Sequence, residues 1–261
     1  MISWIVGWSL NFRFAGYAAP IARGWSSFVV KFLELLDIKV PKWMNNFEIV
    51  GLKVSFLAPL FVIVCTIVAN RGTKASGYFT IFFTLIKLFL LFVIIIVAFC
   101  NFEYQPNFEP LIDPKLGVRG IFVASTKLFF AYVGFDLLNV LSEESIEPER
   151  SVPKAIQGTQ IICLILYCLV SFSTNGVGNL STAIANGSGD PTTALSDTFS
   201  QHGMHKMSVL ISGAAIIGLT PCVLGLIIGG ARTYRALSND GLLPPYFGKL
   251  NEKTKDKYKS F

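Results

Sequence analysis

Long uninterrupted runs of apolar residues dominate this chain of 261 residues. Residues 54–70, 155–178 and 207–231 contain no charged side chain. A helix that crosses a bilayer needs about 20 predominantly apolar residues, and each run is close to that length or longer. Three further stretches are long enough but carry charges within them. The pattern predicts six membrane-spanning helices, at approximately residues 1–22, 50–70, 76–100, 120–142, 156–178 and 207–231.

An all-α membrane protein is the fold class that this pattern favours. A backbone in lipid must satisfy its own hydrogen bonds, and no alternating pattern of about ten residues indicates a barrel. The composition agrees, because 52% of the residues are hydrophobic and 15% are charged, whereas soluble domains carry about 25% charged residues. This balance excludes a soluble enzyme and a nucleic-acid-binding chain, and it makes the lipid bilayer a partner.

Charges in the connecting segments predict the orientation. Lys and Arg are more frequent on the face that includes residues 71–74, residues 150–154 and the basic tail from Arg232 onward, and such an excess is typical of cytoplasmic loops. The opposite face contains two N-glycosylation sequons, at Asn179 and Asn186. We therefore expect that face to be extracellular or luminal, in the plasma membrane or an internal organelle membrane.

Reactive side chains give no indication of an enzyme. The five cysteines lie in apolar stretches without a C-x-x-C pair, and His202 and His205 share a polar loop without a third ligand. We therefore predict no metal site and no cofactor. Lys87 and Asp136 are the only candidate pair for catalysis within the membrane, and the sequence offers no nucleophile beside them.

Lys87 is the most informative charge within the predicted spans. It lies about 15 Å deep, half-way across a hydrocarbon core of about 30 Å. A charged side chain there costs roughly 2.5–3.5 kcal/mol on insertion scales, and such residues commonly serve ion or proton pathways. We interpret Lys87 as a residue that binds and releases a proton. The alternatives are a strut that donates hydrogen bonds to a broken neighbouring helix, and a lysine that faces lipid.

A second candidate site lies at the same depth, in the stretch Phe129-Phe130-Ala131-Tyr132-Val133-Gly134-Phe135-Asp136. A glycine such as Gly134 can relax a helix, and transporters use broken helices to bind carboxylate and amine groups near the midplane. Glycine in a membrane helix also permits close packing of neighbouring helices. From these residues by themselves, both interpretations stay open.

Three motifs follow one another along the chain. They are Ile21-Ala-Arg-Gly-Trp25; the stretch Phe129–Asp136 with the acidic and proline-containing segment that follows it to Ile156; and Arg232-Thr-Tyr-Arg-Ala-Leu-Ser-Asn-Asp-Gly-Leu-Leu243. Together they resemble the amino acid-polyamine-organocation superfamily, and most closely its cationic amino acid transporter branch.

The resemblance implies a fold and a place for this chain within it. Residues 1–261 would form a single integral membrane domain whose six spans correspond to helices three to eight of a longer transporter, with the first two and the C-terminal helices of the family missing. The family fold consists of two inverted five-helix repeats, with substrate between the broken first and sixth helices. Residues 120–142 would be the sixth helix.

The resemblance also implies roles for individual residues. Phe130 would be an aromatic gate over the substrate, Ala131 and Val133 would offer backbone groups to its amino group, and Asp136 would shape the pocket floor beside Gly134. Lys87 matches a fifth-helix lysine of proton-coupled members of the superfamily.

Arg13 departs from the family pattern, because it takes the place of a glutamate that faces the substrate in the cationic branch. A positive charge there would repel a cationic side chain, which favours a neutral or anionic amino acid. The alternative is an arginine that extends to an interface or turns away from the site.

The sequence therefore predicts a secondary active amino acid transporter that is coupled to protons through Lys87, with an amino acid and a proton as its partners. A membrane sensor or scaffold on the same fold, which binds an amino acid without moving it, is the alternative function. No nucleic acid is expected as a partner, and the sequence does not identify an accessory subunit.

Overall fold

The computed structural model describes residues 2–38, 40, 47–49, 52–70, 73–103, 117–132, 134, 147–178 and 190–248. Most of them lie in helices, as the sequence predicts. The α-helices of this part of the chain are α1 Ile2–Leu35, α2 Leu57–Ala69, α3 Thr73–Cys100, α4 Gly117–Leu128, α5 Pro148–Val177, α6 Ala194–Gln201 and α7 His205–Asn239. Short 3-10 helices cover Phe129–Tyr132, Pro191–Thr193 and Pro245–Gly248.

Three of the described helices contain segments long and apolar enough to cross a membrane, namely Thr80–Cys100, Glu149–Val177 and His205–Asn239. They overlap the predicted spans 76–100, 156–178 and 207–231, and the second begins earlier and the third ends later than predicted. Helix α2 is apolar but shorter, at 13 residues. The structure thus agrees with a helical membrane protein, while the full set of six spans stays a prediction.

Two other predicted spans, 50–70 and 1–22, also differ from the observed helices in their bounds. In the span 50–70, residues Leu52–Val54 form a strand that pairs antiparallel with Phe47–Ile49, and the helix begins only at Leu57. Apolar Leu52 and Val54 flank charged Lys53, an alternation that suits a strand better than a buried helix. The first span, predicted to end near residue 22, continues in α1 to Leu35.

One face of α3 is both exposed and apolar along its length. Phe82, Phe89 and Ile96 are spaced seven residues apart and are 61%, 68% and 60% exposed. A spacing of seven residues returns to the same helix face. Ile94 and Ala98 are buried on another side. The helix therefore presents one continuous apolar stripe, which suits a hydrocarbon environment.

The described chain divides into two compact units, of which the first comprises Met1–Ser26, Pro41–Leu85 and Ile217–Phe261. In this unit α1 and α7 run antiparallel, because Gly7 lies against Leu237 and Gly230 lies against Phe14. A Cβ at Gly7 would overlap a methyl carbon of Leu237, so glycine at that contact allows the two helices to pack closely. The unit's buried apolar cluster consists of Ala22, Phe61, Cys65, Val223 and Leu224.

The second unit comprises Ser27–Val40 and Ile86–Ile216. In it α6 is fixed to the start of α7 by a serine cluster, in which the Ser196 Oγ lies 2.7 Å from the Ser208 Oγ and 2.8 Å from the Ser212 Oγ. All three side chains are fully buried and hydrogen-bonded. The apolar core beside this cluster consists of Ile94, Ala98, Val177, Phe199, Ile211 and Ala214.

A buried ion pair joins α1 to α6 within this second unit. The Lys31 Nζ lies 2.5 Å from the Asp197 Oδ1, and the side chains are 15% and 2% exposed. Thr193 donates a hydrogen bond to the other oxygen of Asp197. A second contact joins α1 to the start of α7, because the His205 Nε2 donates a hydrogen bond to the carbonyl of Leu35 at 2.9 Å. Lys31 falls between the first two predicted spans, in a segment predicted as a loop. In the structure it lies inside α1, and Asp197 compensates its charge.

We expect the substitution Lys31→Met to lower the free energy of unfolding by about 3 kcal/mol, because it would leave the Asp197 carboxylate buried without its counter-charge. The measurement is the thermal unfolding midpoint of the purified protein in detergent. Adding Asp197→Asn to the same variant should recover part of the loss, since the remaining charge is then removed.

The matched control is Glu34→Gln, which removes an exposed charge from the same helix and should change stability by less than about 0.5 kcal/mol. A Lys31→Met variant as stable as this control would show that the ion pair does not hold α1 and α6 together.

Candidate functional site

The predicted site segment begins where an α-helix stops. Helix α4 ends at Leu128, and Phe129–Tyr132 continue as a tighter 3-10 turn. Two residues later Gly134 has a φ of 117°, a backbone conformation open to glycine and rarely adopted by other residues. The change of helix type and the positive φ together interrupt the regular backbone of the predicted span 120–142.

Tyr167 of α5 contacts this interruption directly. Its hydroxyl donates a hydrogen bond of 2.8 Å to the carbonyl of Ala131, and its ring meets the ring of Tyr132 edge-on, with centroids 5.7 Å apart. Nothing in the sequence pattern singles out Tyr167. Its only signal in the sequence is a phenolic hydroxyl within an apolar span, which does not show the partner.

Lys87 lies near the middle of α3, about 20 Å from each end at 1.5 Å per residue. Its side chain is partly buried. Among the described residues it takes part in no ion pair, and no hydrogen bond joins it to Ala131 or Gly134. Lys87 therefore lies within a helix segment long and apolar enough to cross a membrane, and its depth and proton-coupling role stay predictions.

Arg13 lies in α1, within the first unit, and is partly buried. Its guanidinium carbon lies 5.3 Å from the centroid of the Phe14 ring, within the distance at which a cation is attracted to an aromatic face. Phe14 is buried against Gly230. The neighbouring packing of α1 against α7 thus limits where the Arg13 side chain can extend.

Other predicted residues fall outside what the structure describes. Val133, Asp136, Asn179 and Asn186 lie among the undescribed residues, and for Phe130 the backbone is described within the 3-10 turn. The pocket-floor and glycosylation assignments therefore stay predictions. Ala131 and Gly134 are the predicted site residues that the structure places together, in one short segment of the second unit.

Comparison with known proteins identifies the chain's relatives. The sequence profile of the family described as "Amino acid permease" matches residues 1–260. The chain belongs to this amino acid permease family. The resemblance to the amino acid-polyamine-organocation superfamily and its cationic amino acid branch is confirmed, and the permease is an integral, multi-pass membrane protein.

Curated relatives match almost all of the 261 residues of this chain. It is 28% identical to the methylthioribose transporter of Bacillus subtilis (strain 168), over 100% of this chain and 55% of the relative. It is 32% identical to cationic amino acid transporter 9, chloroplastic, of Arabidopsis thaliana, over 90% of this chain and 41% of the relative. The branched-chain amino acid permease of Lactococcus lactis is 27% identical over 95% of this chain and 54% of its own. The chain spans about half the length of the curated relatives it matches.

We expect Gly134→Ala to destabilise the permease by about 1–3 kcal/mol, because a side chain disfavours the positive φ of this position. A Cβ would meet nothing within 4 Å at Gly134, so the effect would come from the backbone conformation. Thermal unfolding in detergent measures it.

Gly158→Ala in α5 is the matched control, since a Cβ at Gly158 also meets nothing within 4 Å and the residue is helical. Alanine there should leave stability unchanged or raise it by up to about 1 kcal/mol. Equal unfolding midpoints for the two variants would show that Gly134 does not need its backbone conformation.

Proposed function

We propose that this permease is a secondary active transporter that moves an amino acid across the membrane, with proton coupling through Lys87. The observation that carries the proposal is the interruption of the helical backbone at Phe129–Gly134 in a chain of the amino acid permease family. We further propose that its six spans belong to a fold of two inverted five-helix repeats, in which residues 120–142 are the broken sixth helix.

Backbone groups at the interruption supply the chemistry for an amino acid. A helix end leaves carbonyl groups without their usual partner four residues along the chain. Carbonyl oxygens accept hydrogen bonds from an ammonium group, and half-helix ends serve this purpose in transporters. In the proposed site, Ala131 and Val133 bind the substrate amino group through their backbone, Phe130 closes over the substrate and Asp136 forms the pocket floor.

Lys87 is the proposed proton carrier because of its position in α3. A lysine near the helix centre is costly to keep charged unless water, a partner or the loss of its proton relieves the cost. Lysine can exchange a proton, whereas arginine stays charged. A cycle in which Lys87 takes up a proton from one side and releases it to the other would couple proton movement to substrate movement.

Arg13 bears on which amino acid is carried. The names of the relatives refer to cationic amino acids, branched-chain amino acids and methylthioribose. Similarity to these proteins therefore leaves the class of the substrate side chain open. In the family pattern the place of Arg13 is that of a glutamate that faces the substrate, and a guanidinium in that place would repel a lysine or arginine substrate in a low-dielectric environment. We propose a neutral or anionic amino acid as the substrate.

The first test is uptake of radiolabelled neutral, cationic and anionic amino acids by the full-length protein in proteoliposomes, at acidic and at neutral external pH. We expect uptake to rise at acidic pH in the wild type and to lose this dependence in Lys87→Ala. The control is Lys154→Ala, which removes an exposed lysine near the start of α5 and should keep the pH dependence.

Two outcomes would contradict the proposal. Uptake by Lys87→Ala that still rises at acidic pH would exclude Lys87 as the proton carrier. A correctly inserted protein that binds amino acids but moves none of them would instead be a sensor or scaffold.

The substitution Arg13→Gln should shift selectivity toward cationic substrates. Removing a like charge relieves repulsion worth about 1 kcal/mol or more, so the uptake ratio of lysine to leucine should rise about fivefold to tenfold. Competition between the two labelled amino acids measures this ratio. Arg23→Gln, an exposed arginine on the same helix, is the control, and an unchanged ratio in Arg13→Gln would show that Arg13 does not face the substrate.

A further inference from the structure

The hydrogen bond from Tyr167 to Ala131 joins two helices at the interruption of α4. The donor and acceptor are 36 residues apart in the sequence and 2.8 Å apart in space. Tyr167 lies about 15 Å from the end of α5 at Val177, at 1.5 Å per residue. That distance is about half of a hydrocarbon core, so the bond falls near the depth expected for the substrate.

The acceptor in this bond is a carbonyl in the 3-10 turn beyond the end of α4, where the ladder of α-helical hydrogen bonds stops. An unsatisfied carbonyl in a low-dielectric environment is costly, and a hydroxyl from a neighbouring helix removes that cost. A carbonyl oxygen has two lone pairs. Tyr167 occupies one of them, so this oxygen has the capacity to accept a second hydrogen bond.

The direction of the Ala131 carbonyl depends on this contact. The rings of Tyr167 and Tyr132 meet edge-on at an interplanar angle of 90°, an arrangement that aromatic pairs favour. Tyr132 directly follows Ala131, so the hydrogen bond and the ring contact, both made by Tyr167, act on neighbouring parts of the same turn. A regular α-helix needs no such support, because its own amide groups orient its carbonyls.

We propose that Tyr167 is a positioning residue for substrate binding: it holds the Ala131 carbonyl in the direction from which its second lone pair accepts a hydrogen bond from the substrate amino group. This inference rests on the proposed function, since it assigns a role at the same site. Tyr167 acts through Ala131 and does not itself bind the substrate.

The test is Tyr167→Phe, which removes the hydroxyl and keeps the ring. We expect the KM for amino acid uptake to rise about threefold to tenfold, as for the loss of one well-oriented hydrogen bond. The maximal uptake rate per inserted molecule should stay within a factor of about two of the wild type. Tyr78→Phe is the matched control, because Tyr78 is 78% exposed on α3, and its KM should equal that of the wild type.

A merely structural role predicts a different pattern, in which Tyr167→Phe reduces the amount of inserted protein or the maximal rate and leaves the KM unchanged. That pattern, or equal KM values in all three proteins, would overturn the inference while uptake by the wild type still supports transport. Absence of saturable uptake by the wild type would overturn the proposed function, and this inference with it.

A second variant applies if Tyr167→Phe does not reach the membrane. Monofluorinated tyrosine at position 167 keeps the shape of the ring and makes the hydroxyl a stronger donor. A more firmly held carbonyl should lower the KM, measured at acidic pH where the phenol keeps its proton. An unchanged or higher KM in this protein would contradict the positioning role.

Discussion

A backbone in lipid has no water to satisfy its hydrogen-bonding groups, and the structure of this permease follows from that constraint. Long helices meet the need within themselves, as α3, α5 and α7 do. Where α4 gives way to a tighter turn and a glycine of positive φ, the helix no longer supplies every partner. Tyr167 of the neighbouring helix α5 provides a hydrogen-bond donor for the carbonyl of Ala131. An interruption in a membrane helix is thus both a stability problem and a source of free acceptor sites for a ligand.

Charged residues obey the same constraint in two different ways. Lys31 and Asp197 are buried together, and Thr193 donates to the same carboxylate, so their charges are compensated where they lie. Such a pair contributes a fixed connection between elements more than net stability. Lys87 lies within a spanning helix without an ion pair among the described residues. In the proposed function the charge of Lys87 changes during a transport cycle, whereas Lys31 stays paired with Asp197.

Small side chains decide how closely the helices approach. In the antiparallel packing of α1 and α7, the side chain of Leu237 packs against Gly7 and the ring of Phe14 packs against Gly230. In lipid, helices associate mainly through such close packing, because burial of apolar surface drives little. The serines at positions 196, 208 and 212 act similarly in the second unit, where their small size and paired hydroxyls fix α6 to α7.

The sequence by itself determined the helical membrane class, the approximate positions of the long apolar helices and the family, because apolar runs and motifs are local properties of the chain. The residues around Gly134 by themselves left a broken helix and a packing glycine both open, and the positive φ of Gly134 in the structure favours the interruption. The hairpin before α2, the extension of α1 to Leu35 and the Lys31–Asp197 pair were decided by tertiary structure. The hydrogen bond from Tyr167 to Ala131 was also decided by tertiary structure, because its donor and acceptor belong to different helices. A contact between residues distant in the sequence depends on how the helices pack. The residue pattern of one segment does not specify which other segment will pack against it.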